Sequence, residues 1–322
     1  MNTHLHIEFN QKILQILKTN PIQSIIIAIS GGQDSLCLIK LIQDFQQIHN
    51  YLMNVEYIYI DHQWKKDCKY QIEHLINYIL SIKSCIYIYQ IKSLPNSELH
   101  ARHLRYQIIT KHSKINQDTI IITAHTRTDK IETFFQQLIR GTSIEGATSL
   151  TSQRKLNSKI ILARPLSNID RKDIQWFCRK FNLPIWSDIT NYQYKVSRNR
   201  LRNELIPYLK QYFTDNVEEN LNSFINVSYI ENEYIKQNAI KLYILSRHKN
   251  HIALNYKLMQ QQHIAIQTKA LQIFFYHHFH KSLDRTILKQ IIPLMKNQSK
   301  YKNVIRWGHL HVYIENDWLY IN

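Results

Sequence analysis

Ser24-Ile25-Ile26-Ile27-Ala28-Ile29-Ser30-Gly31-Gly32-Gln33-Asp34-Ser35 is the stretch from which the rest of the chain is read. Its first half is a short apolar run rich in β-branched residues, bounded by a glycine turn, and reads as a buried strand. Asp34 to Ile48 then sets Leu36, Leu38, Ile39, Leu41 and Ile42 on a helical face. Strand, glycine loop and helix make half of a βαβ unit, and in an open parallel sheet that loop lies at the mouth where ligands bind. Glycines admit an anion close to the backbone, successive N–H groups point into the turn, and the helix start adds partial positive charge. A phosphate suits such a loop. Gly31 and Gly32 are two of only five glycines in the chain. The plainer alternative is an ordinary strand-to-helix turn with an N-cap.

Working outward, the alternation repeats. A helix is expected over Leu5–Lys18, strands over Val55–Ile60, Ile86–Ile91, Thr119–Thr123 and Ile160–Ala163, and helices over Asp67–Ile82, Ser97–Ser113, Thr128–Ile139 and Asp170–Phe181. The fold class is therefore α/β, a Rossmann-like parallel sheet with helices on both faces. This first domain is expected to span residues 1–215. Residues 216–322 read as a smaller, mostly helical domain: helices at Val217–Ser246, Met259–His278 and Ser282–Met295, a strand at His251–Lys257, and a small hairpin over Asn303–Asn322.

The chain has 322 residues, 44% of them hydrophobic, which is core enough for about two domains. No window reaches the roughly 18–20 apolar residues of a membrane span, so no membrane role is expected. The start carries His4, His6, Glu8 and Lys12 and no arginine before Asn20, a pattern unlike a signal or transit peptide. Net charge is +17, and the excess is uneven: Arg154–Lys210 holds 13 basic against four acidic residues. That points to a polyanionic partner, nucleic acid first. An AT-biased genome, with its Lys, Ile, Asn and Tyr, is the alternative source of the charge. Cys37, Cys68, Cys85 and Cys178 form no C-x-x-C pair, and His4/His6 and His277/His278/His280 lack companion ligands, so no metal centre is expected there.

The loop is not a Walker A motif, because no lysine follows the glycines, and it lacks G-x-G-x-x-G. Its S-G-G-x-D-S wording resembles the PP-loop of ATP pyrophosphatases. Further residues narrow the choice. Asp61-His62 ends the second strand; Glu98, Arg102, Arg105 and Tyr106 share a helix face; Thr123-Ala124-His125-Thr126-Arg127-Thr128-Asp129-Lys130-Ile131-Glu132-Thr133 precedes Arg140-Gly141. With Arg164-Pro165-Leu166, Arg171, Ile174, Trp186, Asp188, Thr190-Asn191 and Arg198-Asn199-Arg200-Leu201-Arg202, this order resembles the tRNA(Ile)-lysidine synthase family over roughly 200 residues. Thr126 and Thr128 depart from the resemblance, standing where the family carries a second His and a first Asp.

The resemblance implies ATP-dependent ligation of L-lysine to C2 of the wobble cytidine in the isoleucine tRNA with a CAU anticodon, through an adenylated cytidine. It implies ATP at Ser30, Gly31, Gly32, Gln33, Asp34, Ser35, Asp61 and His62, with Mg²⁺ held between Asp34 and the phosphates. Asp34, His125, Asp129 and Glu132 are the expected catalytic set, Asp129 and Glu132 facing the cationic lysine or one of them accepting its ε-ammonium proton. Arg102, Arg105, Arg198, Asn199, Arg200 and Arg202 are expected at the tRNA, with Tyr192 and Tyr194 nearby. A homodimer is left open. Composition and length fit a plastid protein of the stroma, or else the cytoplasm of an AT-rich bacterium. The rivals are another PP-loop nucleotide-modifying ligase, disfavoured by the lack of a glutaminase half, and a non-catalytic RNA-binding relative.

Overall fold

The computed structural model describes residues 3–19, 24–49, 54–63, 68–92, 94–113, 119–186, 197–296 and 304–322. The chain divides into two compact units, residues 1–225 and 226–322.

The first unit runs α1 (His4–Thr19), β1 (Ser24–Ile29), α2 (Gln33–His49), β2 (Asn54–Asp61), α3 (Cys68–Ser81), β3 (Cys85–Gln90), α4 (Glu98–Ser113), β4 (Thr119–Thr123), α5 (Arg127–Ile139), α6 (Ile144–Ala147), β5 (Gln153–Lys155), β6 (Ile160–Ala163) and α7 (Arg171–Lys180). A short helix α8 (Ser197–Arg200), a wider-pitched turn at Leu201–Leu205 and α9 (Ile206–Tyr212) follow, and α10 (Val217–Ser246) begins in this unit. The β1, β4 and β6 strands have the bounds expected from their apolar runs.

Six strands form one sheet in the order β3-β2-β1-β4-β6-β5. All neighbours are parallel except β5, which returns antiparallel to β6 on the edge. β5 escaped the sequence reading because Gln153-Arg154-Lys155 is short, polar and largely exposed, and an edge strand tolerates that. The central β1 and β4 read as unbroken isoleucine runs because helices cover both faces. One core side gathers Phe9, Leu38, Phe45, Ile27 and Phe177, and the other Ile26, Ile58, Ile109, Ile121 and Leu162.

Two buried histidines fasten helices to this scaffold. His6 Nε2 lies 3.0 Å from Asp44 Oδ2, tying α1 to α2. His112 lies 2.8 Å from Glu56 of β2 and 2.7 Å from the Tyr89 hydroxyl of β3, which fixes the C-terminal end of α4. The first turns of α10 belong to the first unit because Ile225 packs with Ile131, Phe134, Ala147 and Ile206.

The second unit holds β7 (Ala253–Asn255), α11 (Tyr256–Gln260), α12 (Ile264–Phe279), α13 (Arg285–Lys296), β8 (Ile305–Trp307), β9 (Leu310–Glu315) and β10 (Trp318–Ile321). Its strands make a four-stranded sheet, β7-β10-β9-β8, rather than a lone hairpin. The strand expected over His251–Lys257 stops at Asn255, whose side chain accepts from the Leu258 amide at 3.1 Å and starts a helix. Among the described residues no helix is long and apolar enough to cross a membrane.

Candidate active site

Strand order reverses at β1, whose chain continues to β2 on one side while β4 lies on the other. The loops after β1 and β4 therefore open side by side, with Ala28 paired to Thr123 one turn below the mouth.

The glycine loop is closed by its own serines. Ser35 Oγ accepts from the Ser30 amide at 3.0 Å and lies 3.0 Å from Ser30 Oγ, while the Leu36 amide bonds the Gly32 carbonyl. Gly31 has φ +74°, and a Cβ there would stand 3.1 Å from Gln71 Nε2, which donates to the Ser30 carbonyl. Gln71 of α3 is thus a loop-bracing residue that no motif announced. Around Gly32 only Ser30 Oγ lies near, at 3.7 Å, so the inside of the turn is open to an anion.

Asp34, in the first turn of α2, has a buried Oδ1 with no hydrogen-bond partner among the described residues, and Gln33 Nε2 is likewise buried without one. Burial lifts the Asp34 carboxyl to about 6; Arg171 and Arg202 pull it down, while Asp129 and Glu132 push it up. A buried carboxylate oxygen without a donor, beside an open anion turn, fits a divalent cation shared with phosphates. Arg171, whose Nη1 is also buried without a partner, faces the same charges from α7.

On the β4 side, Thr126 is the N-cap of α5. The Asp129 amide bonds Thr126 Oγ1 at 3.4 Å, and the Thr126 amide and hydroxyl donate to Asp129 Oδ2 at 2.8 and 3.0 Å. Threonine at this position thus supplies a capping box, which explains how the helix keeps its start without a histidine.

Asp129 and Glu132 face the same way, one turn apart, and meet two arginines. Arg198 donates to Glu132 Oε2 at 2.5 Å and Asp129 Oδ1 at 2.8 Å. Arg202 donates to Glu132 at 2.5 and 3.1 Å and to Asp129 at 3.2 Å. Burial raises the Asp129 carboxyl, but Arg198, His125, Arg202 and the Thr126 amide outweigh it and hold it at about 2. The Glu132 side chain is fully buried. Sequence reasoning set these arginines at the RNA and these carboxylates at the lysine; the fold pairs them with one another, because α8 and the turn after it pack on α5.

His125 is part-buried, its Nδ1 2.9 Å from Thr123 Oγ1. Burial pulls its pKa down to about 3, and Arg164, Arg198 and Arg102 act the same way against Asp129, so the imidazole is neutral at pH 7. Asp34, His125, Asp129, Glu132, Arg198 and Arg202 thus share one electrostatic neighbourhood.

Of the other expected residues, Arg102 acts on His125 by its charge from outside the hydrogen-bonded group. Asp61 accepts from the Gln63 amide at 2.8 Å. His62 receives Arg105 Nη2 at 3.1 Å; burial and Arg105 bring His62 down to about 4. Arg200 is exposed and paired with Glu204 at 3.0 Å, and Asn199 is half-buried. Arg102 lies over the Tyr106 ring, 5.6 Å from its centroid. Asp188, Thr190, Asn191, Tyr192 and Tyr194 lie outside the described residues, as does the Glu98 side chain.

A family model described as a PP-loop domain matches residues 5–209. The chloroplastic tRNA(Ile)-lysidine synthase of Gracilaria tenuistipitata var. liui is 50% identical over 319 residues, 99% of both chains. The chain belongs to the tRNA(Ile)-lysidine synthase family. The family's chloroplastic member from Pyropia yezoensis is 34% identical, covering 99% of this chain and 96% of its own, and one from Nostoc sp. is 36% identical over 74% and 70%. Among solved structures, the U34-tRNA thiolase NcsA from Methanococcus maripaludis superposes with TM-score 0.56 at 15% identity, over 69% of this chain and 78% of that one, a likeness of fold.

Proposed function

We propose that this chain makes lysidine on tRNA(Ile), joining free L-lysine to C2 of the wobble cytidine of the CAU anticodon at the expense of ATP. Near-full-length identity to the Gracilaria tRNA(Ile)-lysidine synthase carries the reading, and the PP-loop domain carries the use of ATP. Its relatives from Gracilaria and Pyropia are chloroplastic, which supports a plastid location.

The chemistry divides into two steps. The C2 oxygen of cytidine is a poor leaving group, so it first attacks the α-phosphorus of ATP and releases pyrophosphate. The lysine ε-amine then attacks C2, AMP departs with the oxygen, and the amine proton passes to an acceptor. The Ser30–Ser35 loop would take the phosphates on its backbone N–H groups, and Asp34 is the residue that would hold Mg²⁺. When bound, Mg²⁺ neutralises charge that builds on the pyrophosphate.

His125 meets the substrate as a neutral imidazole, a hydrogen-bond partner whose proton affinity rises once phosphate charge arrives beside it. Asp129, at about 2, is too weak a base to take the amine proton near neutrality. Instead the Asp129, Glu132, Arg198 and Arg202 network offers both signs of charge, and free lysine, a zwitterion with a second ammonium, needs both. Arg102, Arg105, Asn199 and Arg200 are left to the RNA.

The test is incorporation of radiolabelled lysine into an unmodified CAU isoleucine tRNA transcript, beside a methionine tRNA with the same anticodon and an Asp34→Ala control. Label entering the isoleucine tRNA alone, and only with Asp34 present, is expected. ATP cleaved to AMP without lysine transfer would move the reading to another PP-loop ligase.

A further inference from the structure

Arg164 is the largest side chain that the fold buries completely. It follows β6, next to β4 in the sheet, so it emerges at the same mouth as His125. Its Nη1 donates to the Thr151 carbonyl at 2.6 Å and its Nη2 to the Tyr106 hydroxyl at 3.5 Å, while Nε is buried with no partner among the described residues. Every one of these oxygens is uncharged. An arginine keeps its proton, and no carboxylate among the described residues pairs with this one; a buried charge without a counter-ion is costly, so the site suits a negative group brought by a ligand.

Arg102 stands against the same tyrosine, its guanidinium over the Tyr106 ring. No carboxylate among the described side chains pairs with it. Arg154 adds a third positive charge, felt by Arg164 together with that of Arg102. The field of Arg164 and Arg102 also reaches His125. Charges in such a water-poor site act over longer range than at the surface.

We propose that Arg102, Tyr106 and Arg164 form the seat for a backbone phosphate of the substrate RNA, the one beside the nucleotide being modified. Arg102 touches the phosphate; Arg164 is a positioning residue, acting through its bond to the Tyr106 hydroxyl and through its charge. The inference rests on the RNA-modifying reading above. Two strand spacings put β6 roughly 10 Å from β1, so this phosphate is a different group from those at the glycine loop. A base drawn out of an RNA loop brings such phosphates on both sides, and holding one of them fixes where the base lands.

The experiment uses the full chain and CAU isoleucine tRNA carrying one neutral methylphosphonate at either phosphate flanking the wobble nucleotide. One of the two is expected to weaken wild-type binding by about tenfold, the worth of a hydrogen bond to a charged group. That penalty is expected to fall below about twofold in Arg102→Gln and Arg164→Gln, because coupled partners do not add. Arg164→Lys, which keeps the charge, should retain most of it. If Arg164→Gln does not fold, the half-buried Arg102→Gln carries the comparison. An undiminished penalty in the variants overturns the proposal, and so does a rise in KM for ATP with RNA affinity unchanged, which would assign the seat to the nucleotide. Failure of the wild-type chain to bind the unmodified transcript would instead overturn the RNA reading on which the proposal stands.

Discussion

Asp34→Asn should make the ligand-free protein more stable while removing its hold on Mg²⁺ and ATP. Burial lifts the Asp34 carboxyl from 3.8 to about 6, and the charges around it do not restore it. The folded state thus binds a proton that the unfolded chain has already released, so stability falls as pH rises from about 4 through about 6. Above that window the gap of roughly two pK units is worth about 3 kcal/mol, at 1.36 kcal/mol per unit. Asparagine carries no such penalty. Urea unfolding of both proteins from pH 4 to pH 8 should show curves that nearly coincide at the acid end and separate progressively, the variant ahead by about 1–3 kcal/mol at pH 8. Adding Mg²⁺ and ATP should then stabilise the wild type and leave the variant unmoved, since only a ligand that binds the native state shifts the balance. A variant no more stable than wild type at pH 8, or a difference that ignores pH, would refute the argument that Asp34 is strained by burial and awaits a cation.

Two further outcomes follow from the same site. Glu132→Gln leaves two guanidiniums facing a fully buried neutral amide, and is expected to destabilise by about 3–5 kcal/mol in urea and, where folded, to raise the KM for lysine more than that for ATP. Gly31→Ala forces a side chain into a left-handed turn against Gln71, which should cost about 1–2 kcal/mol and raise the KM for ATP; trimming Gln71 to Ala in the same protein should recover only the part due to contact.

Apart from the short α6 and the edge strand β5, the order of strands and helices up to α7 was legible because each central strand is an apolar run and each longer helix keeps a periodic apolar face, signals that local sequence carries whole. The glycine loop was legible for a different reason: its chemistry is done by consecutive residues. Thr126 shows the limit of motif comparison. Read as a departure from the family, it proves to cap α5 and to orient Asp129, a role open to threonine as a hydroxyl donor and acceptor.

What the sequence by itself determined is therefore the parallel sheet, the glycine turn at Ser30–Ser35, the excess of positive charge and the family. Which charges meet was decided only by tertiary structure. Asp129 and Arg198 are 69 residues apart, and only the packing of α8 on α5 brings them to 2.8 Å. Arg164 lies in the Arg164-Pro165-Leu166 stretch that carries part of the resemblance, yet nothing local marks it as a buried cation with no carboxylate partner among the described residues. Periodicity encodes which face of an element is buried, but pairing across the sheet mouth depends on strand order and helix docking, and those are fixed by the whole core at once.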